Sequence, residues 1–189
     1  ESSGNCLFRF YGLAAGVSTI ASITIMLVAL QEDVMIVALF TAALAGAALG
    51  FLRYNFNPAK IFMGDTGSMF LGFILAGISV IGAVKCTATI ALIVPILALG
   101  LPIMDTTFAI IRRYRGGVPI FKPDKGHLHH RLLDLGFSQR QAVLLMYVIS
   151  ALLGLSAVAL NEVSGGMSIV IVVCVLLVVF LGARKLGIF

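Results

Sequence analysis

Two stretches of this 189-residue chain hold residue types at spacings that chemistry can use. The first reads Arg53-Tyr-Asn-Phe-Asn-Pro-Ala-Lys-Ile-Phe-Met-Gly-Asp-Thr-Gly-Ser68. Pro58 disfavours helical geometry at Asn57. Gly64 and Gly67 flank Asp65 and permit close approach of backbone to a ligand. Asp65 stands just before an apolar run, at the expected start of a helix. One reading makes Asp65, Thr66 or Ser68 a helix cap. The other makes Asp65 a metal ligand beside helix-terminal amides that attract anions. A lone carboxylate repels a phosphate, whereas one that holds Mg²⁺ attracts it.

The second stretch runs from about 112 to 140. It gathers all three histidines of the chain in His127-Leu-His129-His130, with Arg131 next. Three roles are open to the cluster. It is a solvated, incidental group, or a transition-metal site with no obvious carboxylate or Cys partner, or a set of donors to phosphate and sugar oxygens reinforced by Arg131. Arg112, Arg113 and Arg115 read first as topology anchors at a helix end. Asp105 follows Pro102 near the end of an apolar span; a carboxylate at membrane depth is a functional candidate, although the nearby interface gives it water. Tyr54, Phe56 and Phe62 suit either an interfacial aromatic belt or stacking on a base or sugar ring.

The elements that position these groups follow from composition. The chain is 60% hydrophobic and 11% charged, with a mean hydropathy of +1.12. Soluble domains carry about 25% charged residues, so an ordinary soluble globule and a disordered chain are both excluded. Six uncharged runs, residues 10–31, 34–52, 66–84, 86–104, 141–161 and 163–183, are each 19 to 22 residues long. A bilayer-crossing helix needs about 20 such residues. The expected fold is all-α, a polytopic integral membrane protein with about six transmembrane helices in one domain over residues 1–189. Its polar loops lie at about 53–65 and 112–140. With the N-terminus cytoplasmic, 12 of the 13 Lys and Arg fall on the inner side, and only Lys85 is outside. That bias fixes the orientation. It also accounts for the net charge of +5 without a nucleic-acid partner. Cys6, Cys86 and Cys174 have no disulfide or zinc spacing. Small residues at 42–50 permit close helix packing, within one chain or, less simply, between two copies as a homodimer.

Asn57-Pro-Ala-Lys-Ile-Phe-Met-Gly-Asp-Thr-Gly-Ser68 resembles the signature of the polyprenyl-phosphate N-acetylhexosamine-1-phosphate transferases. Pro102-Ile-Met-Asp-Thr106 and Gly126-His-Leu-His-His-Arg-Leu132 extend the likeness to about residues 12–160. The His-x-His-His form is similar to the branch that uses UDP-N-acetylglucosamine, which includes initiators of teichoic acid and O-antigen synthesis. The phospho-N-acetylmuramoyl-pentapeptide transferases typically carry a different cluster. The resemblance implies that undecaprenyl phosphate attacks the sugar-linked phosphorus of a UDP-N-acetylhexosamine. Lipid-diphospho-sugar forms and UMP leaves, with Mg²⁺ as cofactor, at the cytoplasmic face of the cell membrane. It implies Asp65 as metal ligand, Asn57 and Phe62 near the uridine, and His127, His129 and His130 on the diphosphate or sugar. Lys60 and Arg131 become further substrate contacts, and Asp105 a structural residue.

The chain also departs from that family. The family's Asn-x-x-Asp-Gly-x-Asp-Gly-Leu-Ala motif appears as Asn5-Cys-Leu-Phe-Arg-Phe-Tyr-Gly-Leu-Ala14, so Phe8 and Tyr11 occupy the acidic positions. An earlier Asp-Asp motif is missing, and the family has about ten or eleven spans. The expectation is therefore the C-terminal portion of a larger transferase, inactive or severely impaired alone. The alternatives are a non-catalytic remnant, or a partner-dependent membrane subunit that binds UDP-sugar. A transporter is disfavoured, because transporters place ionisable groups along a midplane path and these spans are nearly free of charge.

Overall fold

The computed structural model describes residues 11–83, 88–117, 119, 128–162, 170, 173–175 and 177. These residues form seven helices and no strand: α1 (Leu13–Gln31), α2 (Met35–Asn55), α3 (Gly64–Ala83), α4 (Ala88–Ala98), α5 (Gly100–Arg115), α6 (Leu128–Asp134) and α7 (Gln139–Glu162). Four stretches are long and apolar enough to cross a bilayer: Leu13–Gln31, Met35–Asn55, Gly64–Gly82 and Gln139–Leu160. The run at 163–183 falls almost wholly outside the described residues.

The run expected as one span over 86–104 is divided. Helix α4 contains Pro95 and ends at Ala98; α5 begins at Gly100 and carries Pro102 in its first turn. Proline has no N–H and its ring crowds the carbonyl four residues back, here that of Ala98. The ladder resumes on either side of the break, from Leu99 N to Pro95 O at 3.0 Å and from Ile103 N to Leu99 O at 3.1 Å. Helix α5 then continues to Arg115, so Arg112, Arg113 and Arg115 lie on helix rather than in a loop.

Helix α1 is the hub, touching α2, α3, α4 and α7. Seven of its ten buried positions are small or hydroxylic: Ala15, Gly16, Thr19, Ala21, Ser22, Thr24 and Ala29. In a bilayer, lipid is as apolar as any side chain, so close approach of backbones replaces hydrophobic exclusion as the packing force. Two notches achieve it between α1 and α7. A Cβ at Gly16 would overlap the Tyr147 ring, and a Cβ at Gly154 would overlap the Thr24 hydroxyl. These contacts advance together along both helices, so α1 and α7 run parallel. Each buried hydroxyl on α1 bonds a carbonyl one turn back: Thr19 to Ala15 O at 2.8 Å, Ser22 to Ser18 O at 2.7 Å, Thr24 to Ile20 O at 2.9 Å. That pairing removes the cost of an unsatisfied polar group away from water.

Two apolar clusters flank this hub. One joins α1, α2, α3 and α4 through Ala21, Ile25, Val37, Leu44, Leu71 and Leu75. The other joins α1, α4, α5, α6 and α7 through Val17, Leu97, Leu101, Leu128, Leu132 and Met146. The small residues at 42–50 split between two faces. Ala45 and Ala48 are buried, whereas Ala42, Ala43, Gly46, Ala47 and Gly50 are exposed, with open space at both glycines. The simpler expectation, packing of these small residues within the chain, holds for two of the seven.

Candidate functional site

The first polar segment is short. Helix α2 persists to Asn55 and α3 starts at Gly64, which leaves residues 56–63 as the connection. Phe56 is extended, and the Asn57–Pro58 peptide is cis. The segment folds back on the end of α2. The amides of Lys60 and Ile61 both donate to Tyr54 O, at 2.8 and 3.3 Å. Asn55 fixes the rest. Its Nδ2 donates to Ile61 O at 2.8 Å, and its Oδ1 accepts from Gly12 N at 2.7 Å. Asn55 is 5% exposed, so both bonds are shielded from water.

Gly12 opens α1 with φ of +84°. A side chain there is strained by the backbone, and its Cβ would meet Phe56, Leu52 and the Tyr147 hydroxyl at 3.1 to 3.3 Å. The Tyr147 hydroxyl donates to Gly12 O. The start of α1, the end of α2, the 56–63 segment and α7 thus meet in one polar node around Asn55 and Gly12. Neither Asn55 nor Tyr147 was expected from the sequence. The only signal was a polar group inside or at the end of an apolar span.

From this node the predicted residues project in different settings. Asn57 is half-buried and its Nδ2 donates to Gln139 Oε1 at 3.2 Å, at the first residue of α7. Lys60 and Phe62 are exposed. The Phe62 ring lies 5.0 Å from that of Tyr11, tilted by 44°. Arg140 sits 5.8 Å over the Phe56 ring, a cation–π contact. Asp65 is exposed in the first turn of α3, where a negative charge suits the helix dipole. The Ser68 hydroxyl donates back to Asp65 O at 2.9 Å. Gly64 faces open space, whereas Gly67 is covered by the Met63 side chain.

The second segment is built by caps at both ends. At the N-terminus of α6, Leu128 N donates to Asp105 Oδ1 at 2.7 Å. At its C-terminus, Gly136 has φ of +89°. Gly136 N donates to Leu133 O at 2.9 Å and Phe137 N to Leu132 O at 3.1 Å, which is the Schellman arrangement. A capping box follows: Ser138 N donates to Gln141 Oε1 at 2.9 Å, and Gln141 N to Ser138 Oγ at 3.3 Å, opening α7. Leu128 and Leu132, one turn apart, are buried in the cluster that includes Ala142 and Met146 of α7. His129, His130 and Arg131 are carried on α6, with Arg131 half-buried; His127 lies outside the described residues, as do the side chains of His129 and His130. Both polar segments are therefore tied to the first turns of α7, at one end of the apolar bundle.

Magnesium binds through one or two carboxylates and completes its shell with water and substrate phosphates. Asp65, exposed at a helix start, fits that use. Among the described residues, no group of three His, Cys, Asp or Glu side chains lies close enough to share an ion.

The sequence profile of glycosyl transferase family 4 matches residues 5–83. A probable undecaprenyl-phosphate N-acetylglucosaminyl 1-phosphate transferase of Bacillus subtilis is 45% identical over 161 residues, which cover 85% of this chain and 45% of the relative. A decaprenyl-phosphate N-acetylglucosaminephosphotransferase of Mycobacterium leprae is 41% identical over 156 residues, 72% of this chain and 39% of the relative. A phospho-N-acetylmuramoyl-pentapeptide-transferase of Alkaliphilus metalliredigens is 36% identical over 144 residues, 75% of this chain and 41% of the relative. The chain spans less than half the length of each of these relatives. With the matching motifs placed together at one end of a bundle of membrane-length helices, the chain belongs to the polyprenyl-phosphate N-acetylhexosamine-1-phosphate transferase family.

Proposed function

We propose that this chain forms the nucleotide-sugar face of an enzyme that transfers N-acetylhexosamine 1-phosphate, with N-acetylglucosamine as the sugar, from a UDP-sugar to undecaprenyl phosphate. An oxygen of the lipid phosphate bonds to the sugar-linked phosphorus, the bridging P–O bond breaks, and UMP leaves. The observation that carries this reading is the attachment of both polar segments to the first turns of α7. A lipid phosphate held at the bilayer edge and a nucleotide arriving from water meet only at such a boundary. The charge asymmetry of the chain makes that side cytoplasmic.

Phosphoryl transfer depends mainly on positioning and charge neutralisation. Exposed Asp65 is the group that would hold Mg²⁺, whose chemistry is to offset charge on the diphosphate oxygens. Lys60 and Arg131 add fixed positive charge there. His127, His129 and His130 donate hydrogen bonds to diphosphate or sugar oxygens. Asn57, already oriented by Gln139, and the exposed Phe62 ring take the uridine, Phe62 by stacking.

One observation favours a second reading, a subunit that binds UDP-sugar without turning it over unless a partner supplies carboxylates. Tyr11 stands where the family motif has an acid, and its ring packs on Phe62. The two readings separate in one experiment. The full chain is placed in lipid nanodiscs with undecaprenyl phosphate and Mg²⁺, and UDP-N-acetylglucosamine binding and UMP release are both measured. Release that disappears in Asp65→Asn supports the enzyme. Binding without release supports the subunit. Neither binding nor release overturns both.

A further inference from the structure

We propose that Asp105 is a positioning residue for the histidine-bearing helix, fixing it through a charge-assisted hydrogen bond to the helix's first amide; this rests on the functional reading above. Leu128 lies between His127 and His129 in the sequence, and its amide is the one that Asp105 Oδ1 accepts at 2.7 Å. The bond joins residues 23 positions apart and ties the backbone of the His-x-His-His motif directly to α5. Helix α6 has only seven residues, too few to hold itself in water. Its C-terminus is held by the Schellman bonds at Gly136, and its underside by Leu128 and Leu132. Two buried leucines on one stripe resist lifting but allow the helix to roll and slide. A fixed acceptor at the first amide removes that freedom. A carboxylate at this end also opposes the partial positive charge of the helix terminus. Asp105 itself is anchored on α5, whose Leu101 and Ala109 are buried on either side of it.

The test uses the full chain in nanodiscs with three forms: wild type, Asp105→Ala and Asp105→Asn. Hydrogen exchange over residues 128–134, apparent melting temperature, and kcat and KM for UMP release are measured for each. Asp105→Ala should speed α6 exchange about tenfold. It should lower kcat about 10- to 100-fold, the range that small misplacement of reacting groups produces. The KM for UDP-N-acetylglucosamine and the melting temperature should move little. Asp105→Asn keeps an oxygen at the same place and should restore both exchange and kcat to within about threefold of wild type, since a neutral acceptor still makes the bond. Unchanged α6 exchange in Asp105→Ala overturns the positioning role whatever the activity. Faster exchange with unaltered kcat overturns its link to the reaction. An Asn variant as impaired as Ala also refutes it, because charge rather than the bond would then be the requirement. A wild-type chain that releases no UMP refutes the enzymatic reading instead, whether or not it binds nucleotide, and the exchange result still decides whether Asp105 holds α6.

Discussion

Replacing Asn55 by Leu tests whether one side chain assembles the polar node. The change keeps the branched shape of the side chain and removes both of its hydrogen bonds, leaving Gly12 N–H and Ile61 C=O without their partner. Bonds between membrane helices measured by double-mutant cycles average about 0.6 kcal/mol, so two lost bonds alone would cost about 1 kcal/mol. Asn55 is only 5% exposed, however, and water cannot easily replace it. A buried polar group left unsatisfied costs about 1–3 kcal/mol, so with two such groups the penalty term dominates and about 2–4 kcal/mol is expected. Asn55→Asp should separate the two halves. It keeps an acceptor for Gly12 N but sets an oxygen against the Ile61 carbonyl, so it should loosen residues 60–62 while leaving the start of α1 ordered. The assay is reversible denaturant unfolding in mixed micelles, with hydrogen exchange at Gly12 and at residues 60–62. A loss below about 0.5 kcal/mol in Asn55→Leu, under the cost of even one ordinary bond, would refute the node as the organising contact.

Four further outcomes are expected. Gly16→Ala should destabilise by about 1–3 kcal/mol, as overpacking of a tight contact does. Thermal unfolding of Gly16→Ala/Tyr147→Ala should show less than the additive loss, because the overlap is with the Tyr147 ring. Tyr147→Phe should cost about 1 kcal/mol from the bond to Gly12 O, read by the same unfolding assay. Leu132→Ala, 1% exposed at the α6–α7 contact, should cost about 2–5 kcal/mol and speed exchange in α6 before it affects α1. Chelation of Mg²⁺ should abolish UMP release, and Mn²⁺ should restore it in wild type but not in Asp65→Asn.

The unbroken length of the apolar runs was enough to specify helices, because a backbone in lipid must pair its polar groups internally. Charge position supplied the expected orientation. The two polar segments were legible from residue type and spacing, and Ser138-x-x-Gln141 and Gly136 are local cap signals that the sequence also contains. The bounds of the segments were not legible from charge. Arg53, Arg112, Arg113 and Arg115 remain helical, since a long basic side chain can reach water from a helix end. The break at Leu99 follows from Pro95 and Pro102, whose local effect a count of uncharged residues ignores.

What only the tertiary structure decided is which polar atoms meet. Asn55 to Gly12, Tyr147 to Gly12 and Asp105 to Leu128 join residues 43, 135 and 23 positions apart. No periodicity encodes such pairs, because each depends on how α1, α2, α5 and α7 dock. Docking is set by the small residues that let α1 and α7 approach, and the same apolar composition would serve many other arrangements. Apolar runs and charge bias thus determined that this chain spans a membrane with its polar chemistry at one edge. The placement of that chemistry required the packed bundle, since a hydrogen bond is directional and short, and hydrophobicity is neither.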